Sequence, residues 1–248
     1  MIMARRFLSQ TLRRFARRAT LAVSLGLLAA PVMAEITSAR YTDETTRYAH
    51  GVLGDAIEYG TLELTLKDGK RLALTLPQDR VFEDIAPRLM DMDGDGAPEV
   101  IVVESSQTGG ARLSIYDENG LRAATPHIGQ RNRWLAPIGA ADLDGDGFIE
   151  VAYIDRPHLA KTLRVWRFQK GKLTEVASLK GLTNHRIGED FISGGIRNCG
   201  QGPEMITVNA SWSQVMAIRF DGQTLSPRPL GPFKSQSSLR AALDCKAP

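Results

Sequence analysis

Leu62, Leu64 and Leu66 alternate with polar residues, and after Asp68-Gly69 the alternation resumes at Leu72, Leu74 and Leu76. A period of two puts apolar side chains on one face of a strand, and the Asp-Gly pair between two such runs predicts a hairpin. The same arrangement returns three times: Asn119-Gly120 follows Leu113 and Ile115, Lys170-Gly171 follows Leu163, Val165 and Phe168, and Asp221-Gly222 follows Val215, Ile218 and Phe220. The turn glycines lie at 69, 120, 171 and 222, so every step is 51 residues. Before three of the hairpins stands an apolar run that predicts a further strand: Val100–Val103, Val151–Ile154 and Met205–Val208, each directly after a glutamate, Glu99, Glu150 or Glu204. A short stretch such as 134–141 supplies a fourth strand. Four strands in about 50 residues is the size of one propeller blade. The expectation is therefore an all-β, β-propeller-like array of about four four-stranded blades. A β-sandwich or a partly open array would use the same strands. No segment after residue 34 has a long helical period.

Composition adds a compartment. The 248 residues are 43% hydrophobic and 24% charged, a globular rather than disordered balance. Residues 1–34 contain six arginines (5, 6, 13, 14, 17 and 18), no acid, an apolar run from Ala19 to Ala30, and then Pro31-Val32-Met33-Ala34. Charged, apolar and small segments in that order predict a cleavable secretory signal with cleavage after Ala34. The apolar run is shorter than the ~20 residues that span a bilayer, although an uncleaved anchor is the alternative. The paired arginines raise the twin-arginine route, but neither Arg5-Arg6-Phe7-Leu8 nor Arg17-Arg18-Ala19-Thr20-Leu21 fits it well, which favours the general secretory route. The expected domain is then 35–248, in the periplasm or outside the cell. The full chain has 31 Lys and Arg against 28 Asp and Glu; without the six arginines the balance is 25 against 28, a net charge of −3. The basic excess thus belongs to the leader and does not suggest nucleic acid. Nothing after residue 34 predicts a transmembrane span.

Two cysteines, Cys199 and Cys245, remain in this exported chain and predict one disulfide. Two free thiols, or pairing with another chain, are the alternatives.

The densest chemistry lies in two loops, Asp91-Met92-Asp93-Gly94-Asp95-Gly96-Ala97-Pro98-Glu99 and Asp142-Leu143-Asp144-Gly145-Asp146-Gly147-Phe148-Ile149-Glu150. They begin 51 residues apart, in step with the hairpins. Each has acids at positions 1, 3, 5 and 9 and glycines at 4 and 6. Four carboxylates within nine residues repel one another unless a cation sits among them. The glycines permit a sharp turn, and the carbonyl at position 7 adds an oxygen. Hard oxygen donors in a flexible loop suit Ca²⁺ better than zinc or magnesium. Two acidic solvated turns are the bland alternative. An EF-hand would need a glutamate at position 12, where Val102 and Tyr153 stand, and flanking helices where strands are predicted.

These loops, with the apolar strand after each, resemble the FG-GAP or VCBS-type repeats of integrin-α-like propellers, most specifically over residues 84–180. The resemblance implies two calcium sites with side-chain ligands Asp91, Asp93, Asp95 and Glu99, then Asp142, Asp144, Asp146 and Glu150, and with backbone oxygens from Ala97 and Phe148. Glu at position 9, where the family often has Asp, is one departure; four units rather than six or seven is another. Repeats one and four lack the loop. The fourth reads Arg197-Asn198-Cys199-Gly200-Gln201-Gly202-Pro203-Glu204, which keeps the glycines and the glutamate, and a bond from Cys199 to Cys245 would fasten it where no metal does.

Three polar, basic and aromatic loops supply candidate ligand-binding residues: Arg131, Arg133, Trp134, Arg156, His158, His185 and Arg186. Converging on one face, they would suit a glycan or another anionic ligand. No G-x-S-x-G elbow occurs, and His50, His127, His158 and His185 share no metal-ligand spacing; His185 with Asp190, or His158 with Asp155, would be an acid–base pair only by proximity. The expected function is an exported calcium-binding module that binds a glycan, an anionic ligand or an envelope protein, with calcium structural. A carbohydrate-active or other hydrolytic propeller is the enzyme alternative, and a structural component of an envelope assembly is the third.

Overall fold

The structure is a computed structural model that describes residues 34–248. The signal segment therefore lies outside the described residues, except Ala34.

Among the described residues, seventeen strands and one helix follow in order. The first unit contains β1 (Ile36–Thr45), β2 (Glu58–Leu66) and β3 (Arg71–Thr75), with β2 between its two antiparallel neighbours. Strands β4 (Arg80–Phe82) and β5 (Arg88–Met90) both lie along one side of β6 (Glu99–Ser106), and β7 (Gly110–Asp117) and β8 (Gly120–Ala124) continue outward. This is blade 2. Blade 3 is β9 (Leu135–Ala141), β10 (Ile149–Asp155), β11 (Thr162–Gln169) and β12 (Lys172–Lys180), paired in that order. In blade 4, β13 (Leu182–Thr183) and β14 (Gly195–Asn198) flank one side of β15 (Pro203–Asn209), followed by β16 (Gln214–Phe220) and β17 (Leu225–Pro232). The helix α1 (Gln236–Leu243) ends the array.

All four expected hairpins form, and their turn glycines 69, 120, 171 and 222 have φ of 84°, 121°, 71° and 90°. The first unit differs from the others. It has three strands of its own, and β4 pairs with both β2 and β6, so the unit joins blade 2 in one eight-stranded sheet.

The apolar runs are continuous because each central strand is buried on both faces. Val100 and Val102 pack with Leu62 and Leu64 of the first unit and with Phe82 of β4, whereas Ile101 and Val103 face Trp134, Val151 and Tyr153 of blade 3. In β10, Val151 and Tyr153 face blade 2, and Ala152 and Ile154 face Met205 and Ile218 of blade 4. Alternate residues thus serve successive blade interfaces. On the last blade, Ile206 and Val208 meet Leu239 and Ala242 of α1, which covers the face that a further blade would otherwise bury.

The inner strand is where the repeats diverge. It is one strand in blade 3, with a register shift between Ala152 and Tyr153, but it is split in blades 2 and 4. The eleven residues between β13 and β14 carry His185 and reach the first unit, where Gly188 N donates to Val52 O at 3.1 Å.

Candidate functional site

Each acidic loop connects the inner strand of its blade to the buried central strand, so its first residue directly follows a strand and its ninth lies within one. Gly94 and Gly96 have φ of 79° and 89°, and Gly145 and Gly147 82° and 90°, left-handed values that cost glycine nothing. The backbone then turns its N–H groups on the first aspartate. Asp91 accepts from Gly94 N at 2.7 Å and Gly96 N at 3.0 Å; Asp142 accepts from Gly145 N at 2.8 Å and Gly147 N at 3.0 Å. The position-9 glutamates close the loops from inside: Glu99 Oε2 accepts from Met92 N at 2.8 Å, and Glu150 Oε2 from Leu143 N at 2.9 Å.

In the first loop Asp91, Asp93 and Glu99 each bring one oxygen within 4.8 Å of the others; in the second Asp142, Asp144 and Asp146 do so. The two loops therefore gather different trios from the same spacing. Asp95 and Asp146 also accept from the position-7 N–H groups, of Ala97 at 2.8 Å and Phe148 at 2.9 Å.

Two arginines not singled out from the sequence enter these clusters. Arg122 of β8 pairs with Asp93 and Glu99. Arg167, directly across from Glu150 in the β10–β11 register, pairs with Asp144, with Asp146 at 2.8 Å and with Glu150 at 2.6 Å. Burial pushes the Glu99 and Glu150 carboxyls up from their ordinary range, against the pull of these partners. Each arginine also lies over an aromatic ring of the following blade: Arg122 is 5.6 Å from the centre of Phe168, and Arg167 is 5.9 Å from that of Phe220. The repeated contact ties each loop to the next blade. Its only sequence signal is a basic residue near the hairpin turn.

The basic and aromatic candidates separate into two groups. Trp134 is buried, and its Nε1 donates to Glu83 O at 2.9 Å. Its ring meets His185 edge-on at 4.9 Å and stacks on His158 at 6.5 Å, and His158 Nε2 is 3.0 Å from His185 Nδ1. His158, Arg133 and Arg156 border one small cavity with Trp134 and with His50, which sequence reasoning did not select. His50 Nδ1 lies 2.5 Å from Oε1 of the buried Glu83, whose other oxygen takes the Ser105 hydroxyl. The cavity holds about 30 Å³, room for a water rather than a sugar. Burial lowers His158 to about 4, with His185 and His50 adding to the shift, and burial lowers His185 as well, so the His158–His185 pair is neutral at pH 7. Arg131 instead packs over Tyr48 at 5.4 Å, and Arg186 over Trp212 at 4.1 Å.

Asp155 does not join His158. Its oxygens take Arg156 at 2.7 Å and Arg164 at 2.9 Å, and Arg164 also binds Glu175 at 2.6 Å. Asp155 and Glu175 line a 410 Å³ cavity, but both carboxylates are committed to the same guanidinium. Cys199 and Cys245 are bonded, joining the loop before β15 to the residue after the α1 C-cap.

The sequence of 91–153, which holds both acidic loops and the strands behind them, matches the model of the FG-GAP-like repeat family. This segment is similar to an FG-GAP-like repeat. No curated protein matches the chain. The FG-GAP-like repeat thus spans β6 to β10, from one acidic loop through the next, and suggests a β-propeller-like interaction module. No helix among the described residues is long and apolar enough to cross a membrane.

Proposed function

We propose that residues 35–248 act as an exported interaction module whose second and third blades are stabilised by two calcium ions. The observation that carries this reading is the pair of in-register loops, each gathering three carboxylate oxygens within 4.8 Å. All the donors are hard oxygens, and the N–H contacts described above already shape both turns, which fits calcium. One ion would be held by Asp91, Asp93 and Glu99, and the other by Asp142, Asp144 and Asp146. Asp95, Glu150 and the carbonyls of Ala97 and Phe148 are further oxygens within the loops. Calcium would neutralise charge there and fasten the inner strand to the central strand. Arg122 and Arg167 already supply part of that neutralisation, so calcium would add to a folded loop rather than create one. Export rests on the leader-like order of residues 1–34, and the Cys199–Cys245 bond agrees with an oxidising compartment.

The test is a thermal melt of the exported chain, stripped of metal and titrated with calcium. At 100 times the dissociation constant of one site, linkage stabilises by about 2.7 kcal/mol, a rise of roughly 5–10 °C for a domain of this size. Asp144→Ala should lower the stoichiometry by one ion and reduce the rise. A flat melting temperature past millimolar calcium would overturn the reading.

A further inference from the structure

We propose that blade 4 binds an oxyanion of the phosphate or sulfate type at the place where blades 2 and 3 gather carboxylates. Register makes the places equivalent. Glu150 pairs with Ala141 on the inner strand and with Arg167 on the outer side. In blade 4 the same inner position opposite Glu204 is Arg197, and Arg219 follows Ile218, the partner of Met205. Arg228 arrives from β17. Three guanidinium groups thus surround one carboxylate where blade 3 has three acids around one guanidinium.

The single acid is fully used. Glu204 Oε2 accepts from Arg197 Nε at 3.1 Å and Nη2 at 2.8 Å, and Oε1 accepts from Arg219 Nε at 3.1 Å and Arg228 Nη2 at 3.0 Å. Glu204 is 4% exposed and Arg197 8%, so this pair forms the floor; Arg219 at 43% and Arg228 at 57% stand open to solvent. Arg197 Nη1 is spent on Ala242 O, and Arg219 Nη2 on Gln201 Oε1. The groups border a 520 Å³ cavity, in which Glu204 is the one acid among the described lining residues. Three guanidinium groups against one carboxylate leave a net charge of +2 in a concavity of small-molecule size. Guanidinium forks recognise tetrahedral oxyanions through paired N–H donors, and an excess of two charges matches a dianion. The volume leaves room for an organic body, so the anion is either free or carried as an ester on a small molecule.

Calorimetric titrations and melts of the exported chain test this at constant ionic strength, with chloride as the matched control. Sulfate is run with calcium present, and phosphate and glucose 6-phosphate without it. The expected result is a saturable rise in melting temperature with the dianions that chloride does not reproduce. Arg228→Gln should weaken binding at least tenfold, Arg228→Lys less, and Arg40→Gln, on β1 and outside this cavity, not at all. Tighter binding of the ester than of phosphate would assign the esterified form; binding of phosphate but not the ester would assign the free ion, and both support the site. An effect equal to that of chloride, or unchanged affinity in the Arg219→Gln, Arg228→Gln double variant, would overturn it.

Discussion

The turn from β9 to β10 carries four acids, three of them paired with Arg167, whereas the turn from β14 to β15 carries no aspartate, sits among three arginines and is bonded through Cys199 to Cys245. Both turns end on a buried glutamate that opens the central strand of its blade. The comparison separates two functions of the acidic residues. The terminal glutamate belongs to the architecture, because it survives where the aspartates do not and always finds an arginine across the sheet. The aspartates belong to the loop's own chemistry. Where they are absent, a covalent bond and the α1 packing hold the turn instead.

Three changes would break or sharpen that contrast. The largest effect is expected from replacing Cys199 and Cys245 by serine. The bond spans 46 residues, and the chain-entropy model assigns such a loop up to about 4 kcal/mol. Urea unfolding should show a loss of about 3–4 kcal/mol; a loss below about 1 kcal/mol would mean that α1 alone holds the turn. Next is Arg167→Met, which leaves Glu150 buried without its charged partner. Without calcium the melt should show a loss of about 2–3 kcal/mol, and calcium should restore more in this variant than in the parent. Equal calcium responses would show that arginine and metal do not share the acids. The third change, read along the pH axis rather than at one pH, lies outside both turns, at Glu58. Burial raises its carboxyl to about 9, aided by Glu83, Asp55 and Asp84, so the folded state keeps a proton that the unfolded chain releases near 4.5. That contribution is complete below pH 4.5 and lost as pH rises towards 9. Glu58→Gln should flatten the decline in melting temperature over this range while leaving the calcium response intact.

Much of the loop architecture was legible along the chain, and its partners were not. Asp91 to Glu99 is a local pattern, and its repetition 51 residues later carries its own register. Arg122 and Arg167 lie 23 and 17 residues beyond the glutamates they neutralise, and only strand pairing brings them back. His50 and Glu83 are 33 residues apart, and the Arg197, Arg219 and Arg228 cluster draws on three strands. The helix α1 was missed because eight residues with four polar side chains have little helical signal of their own. It is stabilised by burying Leu239 and Ala242 against β15 and β16.

By itself the sequence determined the four hairpins, the buried central strands and the two acidic turns, because each depends on spacing within a few residues and on a period that repeats. Tertiary structure decided the rest. It joined the first unit to blade 2, placed an arginine in each acidic turn, packed Trp134 and the histidines around a cavity too small for a sugar, and inverted the charge beside Glu204. These outcomes depend on which strands become neighbours, and side-chain contacts made across a sheet or between blades leave no fixed interval along the chain.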